Sequence, residues 1–408
     1  MPGKASTALD HRGGSEFVPS IQALRALAAG LVALLHLSAV MAGFSNDAFY
    51  KTAHQVIATI GNAGVDIFFV ISGAIMFMIT RASGKDLSPI GESASFLFRR
   101  AMRIYPLYWV TLAFAMWVLP NGSLPAWEEI ALLRTNAAFA VAWTLPLEIA
   151  FYCMVALLLL LVPAKRRGVA FAVWGTGQTI YVLLGELGIV SPGTFNHSTM
   201  IEFVMGTAMA ALIMRRTARR VSCELAIGAA MGWFAAATVF AWDNPAYIVP
   251  WRVVLYGIPA ALLFYGVVAL DLREKWKIPR PIGLTGDASY SLYLWHQPLL
   301  IALLDAWPLP RDPAWSASLF LLACATLLAS VCIASFYFLE RPSIRLGRLI
   351  VGFFKYKILT LWGPQCDALS RSSSPQHLAR WSFQLPGKES TTSTVPLAIA
   401  REFPTQKY

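Results

Sequence analysis

Residues 21–44 read IQALRALAAGLVALLHLSAVMAGF, and the class of the whole chain turns on them. The run is longer than the apolar core of a signal peptide, about 7–15 residues, and it matches the roughly 20 residues a helix needs to cross a bilayer. A polar leader with Lys4 and Arg12 precedes it. The run also carries Arg25 and His36, which a cleaved leader would not need, so it reads as a retained first span.

Nine further apolar segments follow, roughly at 55–80, 104–120, 138–162, 168–185, 198–214, 223–241, 251–270, 286–306 and 314–339. Composition agrees: 57% of the 408 residues are hydrophobic and 13% are charged, against about 25% charged in soluble domains. The expected fold is therefore an all-α integral membrane protein of about ten transmembrane helices. The fifth and sixth segments are the weakest, interrupted by glycines, Gln178 and Glu202.

The loops orient this array. With the N-terminus in the cytoplasm, loops 81–103, 163–167, 215–222 and 271–285 carry sixteen Lys and Arg residues. The opposite loops carry four, namely Lys51, Arg134, Arg311 and, at a helix edge, Arg252. Such an excess is the positive-inside pattern, and Arg341, Arg345 and Arg348 after the last span place the C-terminus inside as well. The net charge of +11 is thus mostly topology. No basic stretch is interleaved with aromatics as a base-stacking surface would be, so nucleic acid is not an expected partner. The domain reading is 1–20 a cytoplasmic segment, 21–345 the ten-helix membrane domain, and 346–408 a cytoplasmic tail. The tail has Ser-rich runs and no sustained apolar period, the composition of a disordered segment.

The five cysteines form no C-x-x-C or Cys/His pattern, so neither a disulfide framework nor a metal site is expected. They read as small apolar side chains.

Ionisable groups inside spans cost at least ~2.5–3.5 kcal/mol at the bilayer centre and are candidates for function by default. In the first span, Arg25 and His36 are eleven residues apart. That is close to three helical turns and about 16 Å of rise, so they share one stripe. Arg25 admits two readings, a snorkelling anchor or a functional cation; His36 is a packing histidine or a base. In the second span, GNAGVDIFFVISG at 61–73 puts Asp66 about midway, with Ser72 and Gly73 allowing close helix approach. Arg99, Arg100 and Arg103, followed by Pro106 and Tyr108, form an arginine group at a membrane face. It suits phosphate through forked donors and is also what charge asymmetry alone would place there. The fourth span carries Trp143, Glu148 and Tyr152, with Glu148 at a depth similar to His36. A carboxylate beside a histidine can hold the imidazole in one tautomer. The ninth span carries His296 in SYSLYLWHQP, for packing or for substrate contact. Glu340-Arg341-Pro342 reads as a helix stop at the inner face.

Taken in order, these segments resemble the membrane-bound acyltransferase-3 family. The resemblance rests on Arg25 and His36, on the GVDxFFVISG stretch at 64–73, and on Arg99, Arg100 and Arg103 with Pro106 and Tyr108. It continues through Trp143-Thr-Leu-x-x-Glu148-x-x-Phe151-Tyr152, the segment ending in His296, and Glu340-x-Pro342. It covers residues 20 to about 345. It implies acetyl-CoA, or another short acyl-CoA, as a cytoplasmic co-substrate, with no bound cofactor. The implied acceptor is a carbohydrate hydroxyl at the outer face of the bacterial inner membrane: exopolysaccharide, lipopolysaccharide or a lipo-oligosaccharide signal such as a nodulation factor. On this reading His36 is the general base, oriented by Glu148 or Asp66. Arg25, Ser72, Gly73, Arg99, Arg100, Arg103 and Tyr108 hold the donor, and Trp143, Tyr152 and His296 face the substrate, with Tyr152 or Ser72 at the oxyanion. An acyl group carried on His36 is the competing route. Ten spans with buried charges also fit a lipid-linked sugar transporter without chemistry.

Overall fold

The computed structural model describes residues 19–82, 87–118, 124–191, 193, 197–215, 217–242, 251–308 and 314–354. The 1–18 part of the N-terminal segment and residues 355–408 of the tail lie outside them. By contacts the chain divides into Met1–Tyr356 and Lys357–Tyr408; all the described residues belong to the first unit.

Among the described residues every regular element is helical. The elements are α1 (Pro19–Phe44), α2 (Ala48–Gly61), α3 (Ala63–Ala82), α4 (Pro89–Val118), the short α5 (Trp127–Ile130), a 3-10 stretch (Ala137–Trp143) and α6 (Thr144–Leu161). They continue with α7 (Arg167–Glu186), α8 (Met200–Met214), α9 (Arg220–Trp242), a π turn (Val253–Gly257) running into α10 (Ile258–Glu274), α11 (Arg280–Asp287), α12 (Ser289–Asp305) and α13 (Ala314–Ser335). A second π turn, Phe336–Glu340, leads into a last helix, α14, over 341–354.

Seven helical stretches are long and apolar enough to cross a membrane: Pro19–Phe44, Ala48–Arg81, Phe139–Leu161, Ala164–Glu186, Arg220–Trp242, Val253–Glu274 and Trp315–Phe354. Met200–Met214 is apolar but short. The chain is a multi-pass helical membrane protein. Large apolar side chains point outward along it, including Trp117, Val239 and Phe338, as lipid rather than water would favour. The other two expected spans fall on α4 and α12.

Three boundaries differ from the sequence reading. The second span begins at Ala48 and breaks at Asn62, between Gly61 and Ala63. The third expected span is only the later part of the 30-residue α4, so Arg99, Arg100 and Arg103 stand on a helix and not in a loop. Glu340-Arg341-Pro342 is no stop, because helix continues to 354. The π turn widens the backbone just before Pro342, where a regular helix would need the donor proline lacks.

Close packing of α3 on α8 rests on two glycines. A Cβ on Gly73 would stand 2.1 Å from Phe203 O, and one on Gly206 would stand 2.1 Å from Val70 O. Any side chain at either position would force the helices apart. Gly73, expected to face the donor, is thus occupied with helix packing.

Buried charged groups tie the helix ends together. Asp271 Oδ2 accepts from Ser20 N at 2.9 Å, capping the first turn of α1 from α10. Arg167 donates to both oxygens of Glu92 (2.8 and 2.6 Å) and to Thr80 O (3.0 Å). That single side chain joins the starts of α4 and α7 to the end of α3.

The connection after α4 folds back onto it. Tyr105 Oη donates to Ala131 O (2.9 Å), Tyr108 Oη to Glu129 O (2.6 Å) and Trp109 Nε1 to Ile130 O (3.1 Å). Three side chains of one helix thus satisfy three successive carbonyls of an irregular segment, as buried backbone requires. Glu129 closes the turn, accepting from Ala126 N (3.0 Å) and Asn136 Nδ2 (2.7 Å) and pairing with Arg134 (3.2 Å).

Candidate functional site

A cavity of about 80 Å³ opens between α1, α3, α4, α6 and α12. One water needs about 10–15 Å³ by the same measure, so the cavity has room for several. Its polar wall is Arg25, Ser72, Arg100, Arg103, Thr144, Glu148, Tyr152, Ser289, Tyr290 and Tyr293, and its apolar wall includes Val65, Phe68, Phe69 and Ile104. Three arginines and one carboxylate leave this wall with an excess of two positive charges. That suits an anion met by forked donors.

Each arginine is held differently. Arg25 Nη1 donates to Gln22 Oε1 at 3.2 Å. The Arg100 guanidinium lies 5.4 Å from the Tyr152 ring centre and 5.5 Å from that of Phe96, a cation–π seat. Arg103 lies within the field of Tyr152, Glu340, Glu148 and Tyr290. Glu340 is 2% exposed, accepts from Ser291 Oγ at 2.7 Å, and acts electrostatically on both Arg103 and Arg25. Glu148 Oε1 accepts from Tyr152 Oη in a very short contact and from Ser72 Oγ at 3.5 Å.

His36 meets His296 and no carboxylate among the described residues. His296 Nε2 is 3.3 Å from His36 Nδ1, with the rings edge-on at 4.7 Å between centres. His36 Nδ1 is also 2.9 Å from Val32 O, and His296 Nδ1 is 3.1 Å from Leu292 O. The expected orienters are engaged elsewhere: Glu148 with Ser72 and Tyr152, Asp66 with Arg252. Helix arithmetic assigns His36 and Glu148 similar depths, but depth says nothing about which way each helix face turns.

A second charged cluster is sealed. Asp66 Oδ2 accepts from Arg252 Nη2 at 2.6 Å, and the same nitrogen donates to Asn62 O at 3.1 Å. Asp66 and Glu202 are both 0% exposed, and Glu202 interacts with Asp66 and Arg252. The Arg252 guanidinium lies 5.7 Å from the ring centre of Trp143, and Trp143 packs at 5.4 Å on His197. Trp143, expected at the substrate, thus covers this cluster. Tyr108 is bound to the α5 turn, and Arg99 is exposed and absent from the cavity wall.

Sequence reasoning missed Glu340, read as part of a helix stop, and Arg252, counted with a loop. Glu340 ends one π turn and Arg252 precedes the other, and π turns recur at functional sites, but neither leaves a periodic mark. Glu202 was seen only as an interruption of a weak span.

Residues 18–335 match a family model described as an acyltransferase domain. The chain is also 30% identical over 330 residues to the exopolysaccharide production protein ExoZ of Rhizobium meliloti (strain 1021), covering 73% of this chain and 93% of that protein. No solved structure matches it.

Proposed function

This chain belongs to the acyltransferase-3 family, and from that premise we propose that it moves an acetyl group from cytoplasmic acetyl-CoA to a hydroxyl of an exopolysaccharide at the outer face of the bacterial cytoplasmic membrane. The observation that carries the reading is the cavity in which Arg25, Arg100 and Arg103 converge beside Glu148, Tyr152 and Ser72. The relative's name supports exopolysaccharide as the acceptor. In this reading about ten helices span the bilayer with both termini inside, so the arginines in the first halves of α1 and α4 face the cytoplasmic half.

The donor's phosphates bind the arginines, and the thioester arm follows the stripe from Arg25 toward His36. Substituting Coulomb attraction in a poorly hydrated cavity for the donor's hydration shell is what makes such a site bind. His36 takes the proton of the acceptor hydroxyl as the oxygen attacks the thioester carbonyl. The hydroxyls of Ser72 and Tyr152 are both donated to Glu148 in the resting site, on the cavity wall that holds the arginines. When the tetrahedral intermediate collapses, the C–S bond breaks and the protonated His36 returns its proton to the leaving thiolate. The acyl group passes directly from donor to acceptor.

Inside-out membrane vesicles supplied with radiolabelled acetyl-CoA test this. Label should enter exopolysaccharide, and His36→Ala should reduce incorporation by ~10²–10⁴-fold, the usual contribution of a general base. Unchanged glycan acetylation in both His36→Ala and Glu148→Ala would overturn the reading. Label trapped on the protein without acceptor, and lost in His36→Ala, would replace direct transfer with an acyl-histidine route.

A further inference from the structure

The hydrogen-bond partners of the histidine pair determine where its protons sit. A carbonyl oxygen only accepts, so His296 Nδ1, 3.1 Å from Leu292 O, carries hydrogen. A neutral imidazole has one N–H, so His296 Nε2 is bare. His36 Nδ1, 2.9 Å from Val32 O, carries hydrogen by the same argument, and that one hydrogen is shared in a three-centre bond between Val32 O and, at 3.3 Å, the lone pair of His296 Nε2. Both rings take the same tautomer, and every hydrogen-bonded nitrogen of the pair has a partner of the correct kind. One atom is left over: His36 Nε2, with a lone pair and no hydrogen-bond partner among the described residues.

We propose that His296 is the positioning residue of the reaction. It takes the orienting place that a carboxylate holds beside other basic histidines. This inference rests on His36 being the general base. His296 is 0% exposed while His36 is half-buried, so the inner ring is fixed by packing and the outer ring is the one reagents reach. Tyr293, one turn before His296 on α12, packs its ring 5.9 Å from that of His296. Its hydroxyl donates to Val141 O at 2.7 Å and accepts from Thr144 Oγ1 at 2.9 Å. Tyr293 also lines the cavity, so the helix that sets the histidine pair is anchored to the cavity wall.

The proton inventory closes without His296 changing its own. The acceptor O–H bond breaks and its proton goes to His36 Nε2. The new C–O bond forms, the C–S bond breaks, and the same proton leaves for the thiolate. Throughout, His296 Nε2 accepts the His36 Nδ1–H bond. That bond strengthens while His36 is cationic, because a charged donor makes a roughly twofold stronger hydrogen bond. A neutral acceptor supports the imidazolium less than a carboxylate would, which suits a cation that must release its proton to the thiolate at once.

The test compares full-length variants in nanodiscs with acetyl-CoA and chemically deacetylated exopolysaccharide, following release of free thiol. His296→Leu removes the acceptor and should lower kcat by ~10²-fold, the lower end of what proton-transfer catalysis contributes, with KM for acetyl-CoA within about threefold of wild type. His296→Gln places a carbonyl oxygen near the position of Nε2 and should recover at least about ten-fold of that loss; His296→Asn, one bond too short, should not. Wild-type kcat in His296→Leu, or equal kcat in the Gln and Asn variants, would overturn the proposal. The Gln and Asn comparison decides the matter even if the leucine variant does not fold. His36→Ala, run alongside, separates the two levels. Full activity there defeats the proposed base itself, whereas an inactive His36→Ala with a wild-type His296→Leu defeats only the role of His296.

Discussion

The molecule buries two groups of charges, and they differ in one respect. Around Arg25, Arg100 and Arg103 the walls leave a cavity and an excess of positive charge. Around Asp66, Arg252 and Glu202 the side chains close on each other beneath Trp143, with Asp66 and Glu202 fully buried. A buried charge is expensive in either setting. The sealed group offsets part of the cost internally: Arg252 bridges Asp66 and the Asn62 carbonyl at the break between α2 and α3, while Asp66 Oδ1, Arg252 Nε and both oxygens of Glu202 have no hydrogen-bond partner among the described residues. The open group leaves part of its charge for something that enters. By this contrast Asp66, first placed among the catalytic candidates, is engaged in an internal ion pair, while in the function proposed above the cavity arginines are the groups that bind the donor.

The contrast can be broken most severely at Arg252. Arg252→Met leaves Asp66 buried without its partner, a change that costs ~3–5 kcal/mol in other buried pairs. Thermal unfolding in detergent should shift down strongly and membrane yield should fall. An Arg252→Met protein as stable as wild type would erase the distinction between the groups. The opposite balance is expected at the cavity. Arg103→Ala should lower the melting temperature less than Arg252→Met does, because Arg25 still faces Glu340, and raise KM for acetyl-CoA by about ten-fold or more, since a charge-assisted hydrogen bond is worth ~1.5–3 kcal/mol. A large drop in stability with normal KM would move Arg103 into the structural class.

The smallest effect concerns Glu129, which stands apart from both groups. Its carboxyl is held below the ordinary carboxylate range, chiefly by the Asn136 amide and further by the Ala126 N–H and Arg134. A lowered folded-state value means stability that is present above the unfolded value, about 4.3 for glutamate, and lost as pH falls through the folded one. Its ionic partner Arg134 is largely exposed, so screening keeps the effect small. Fluorescence of Trp109, which donates to Ile130 O, should report loosening of the turn below about pH 4.3. Glu129→Gln should abolish that pH response, and a response surviving the substitution would assign it elsewhere.

Much of this was legible in the sequence because lipid leaves helices few options. The ten apolar segments fall on helices, the second of them across the break between α2 and α3, and Arg25, Ser72, Arg100, Arg103, Glu148 and Tyr152 do share one cavity. What failed was rotation and partnership. Helix spacing gave His36 and Glu148 similar depths but not the azimuth that turns His36 toward His296. Tyr108 sits five residues after Arg103, a turn and a half, and so faces the α5 segment. Arg252 looked like a charge at a helix edge because its partner lies 186 residues away. Pro342 looked like a terminator because a π turn has no composition of its own.

One measurement bears most directly on the central claim, that the open group binds the donor and the sealed group does not. It is the dissociation constant for CoA of nanodisc-reconstituted wild type, Arg103→Ala and Arg252→Met, each taken well below its own melting temperature. Binding should be at least about ten-fold weaker in Arg103→Ala, the loss of one charge-assisted hydrogen bond, and within about threefold of wild type in Arg252→Met. Weaker binding in Arg252→Met with wild-type binding in Arg103→Ala would contradict the claim.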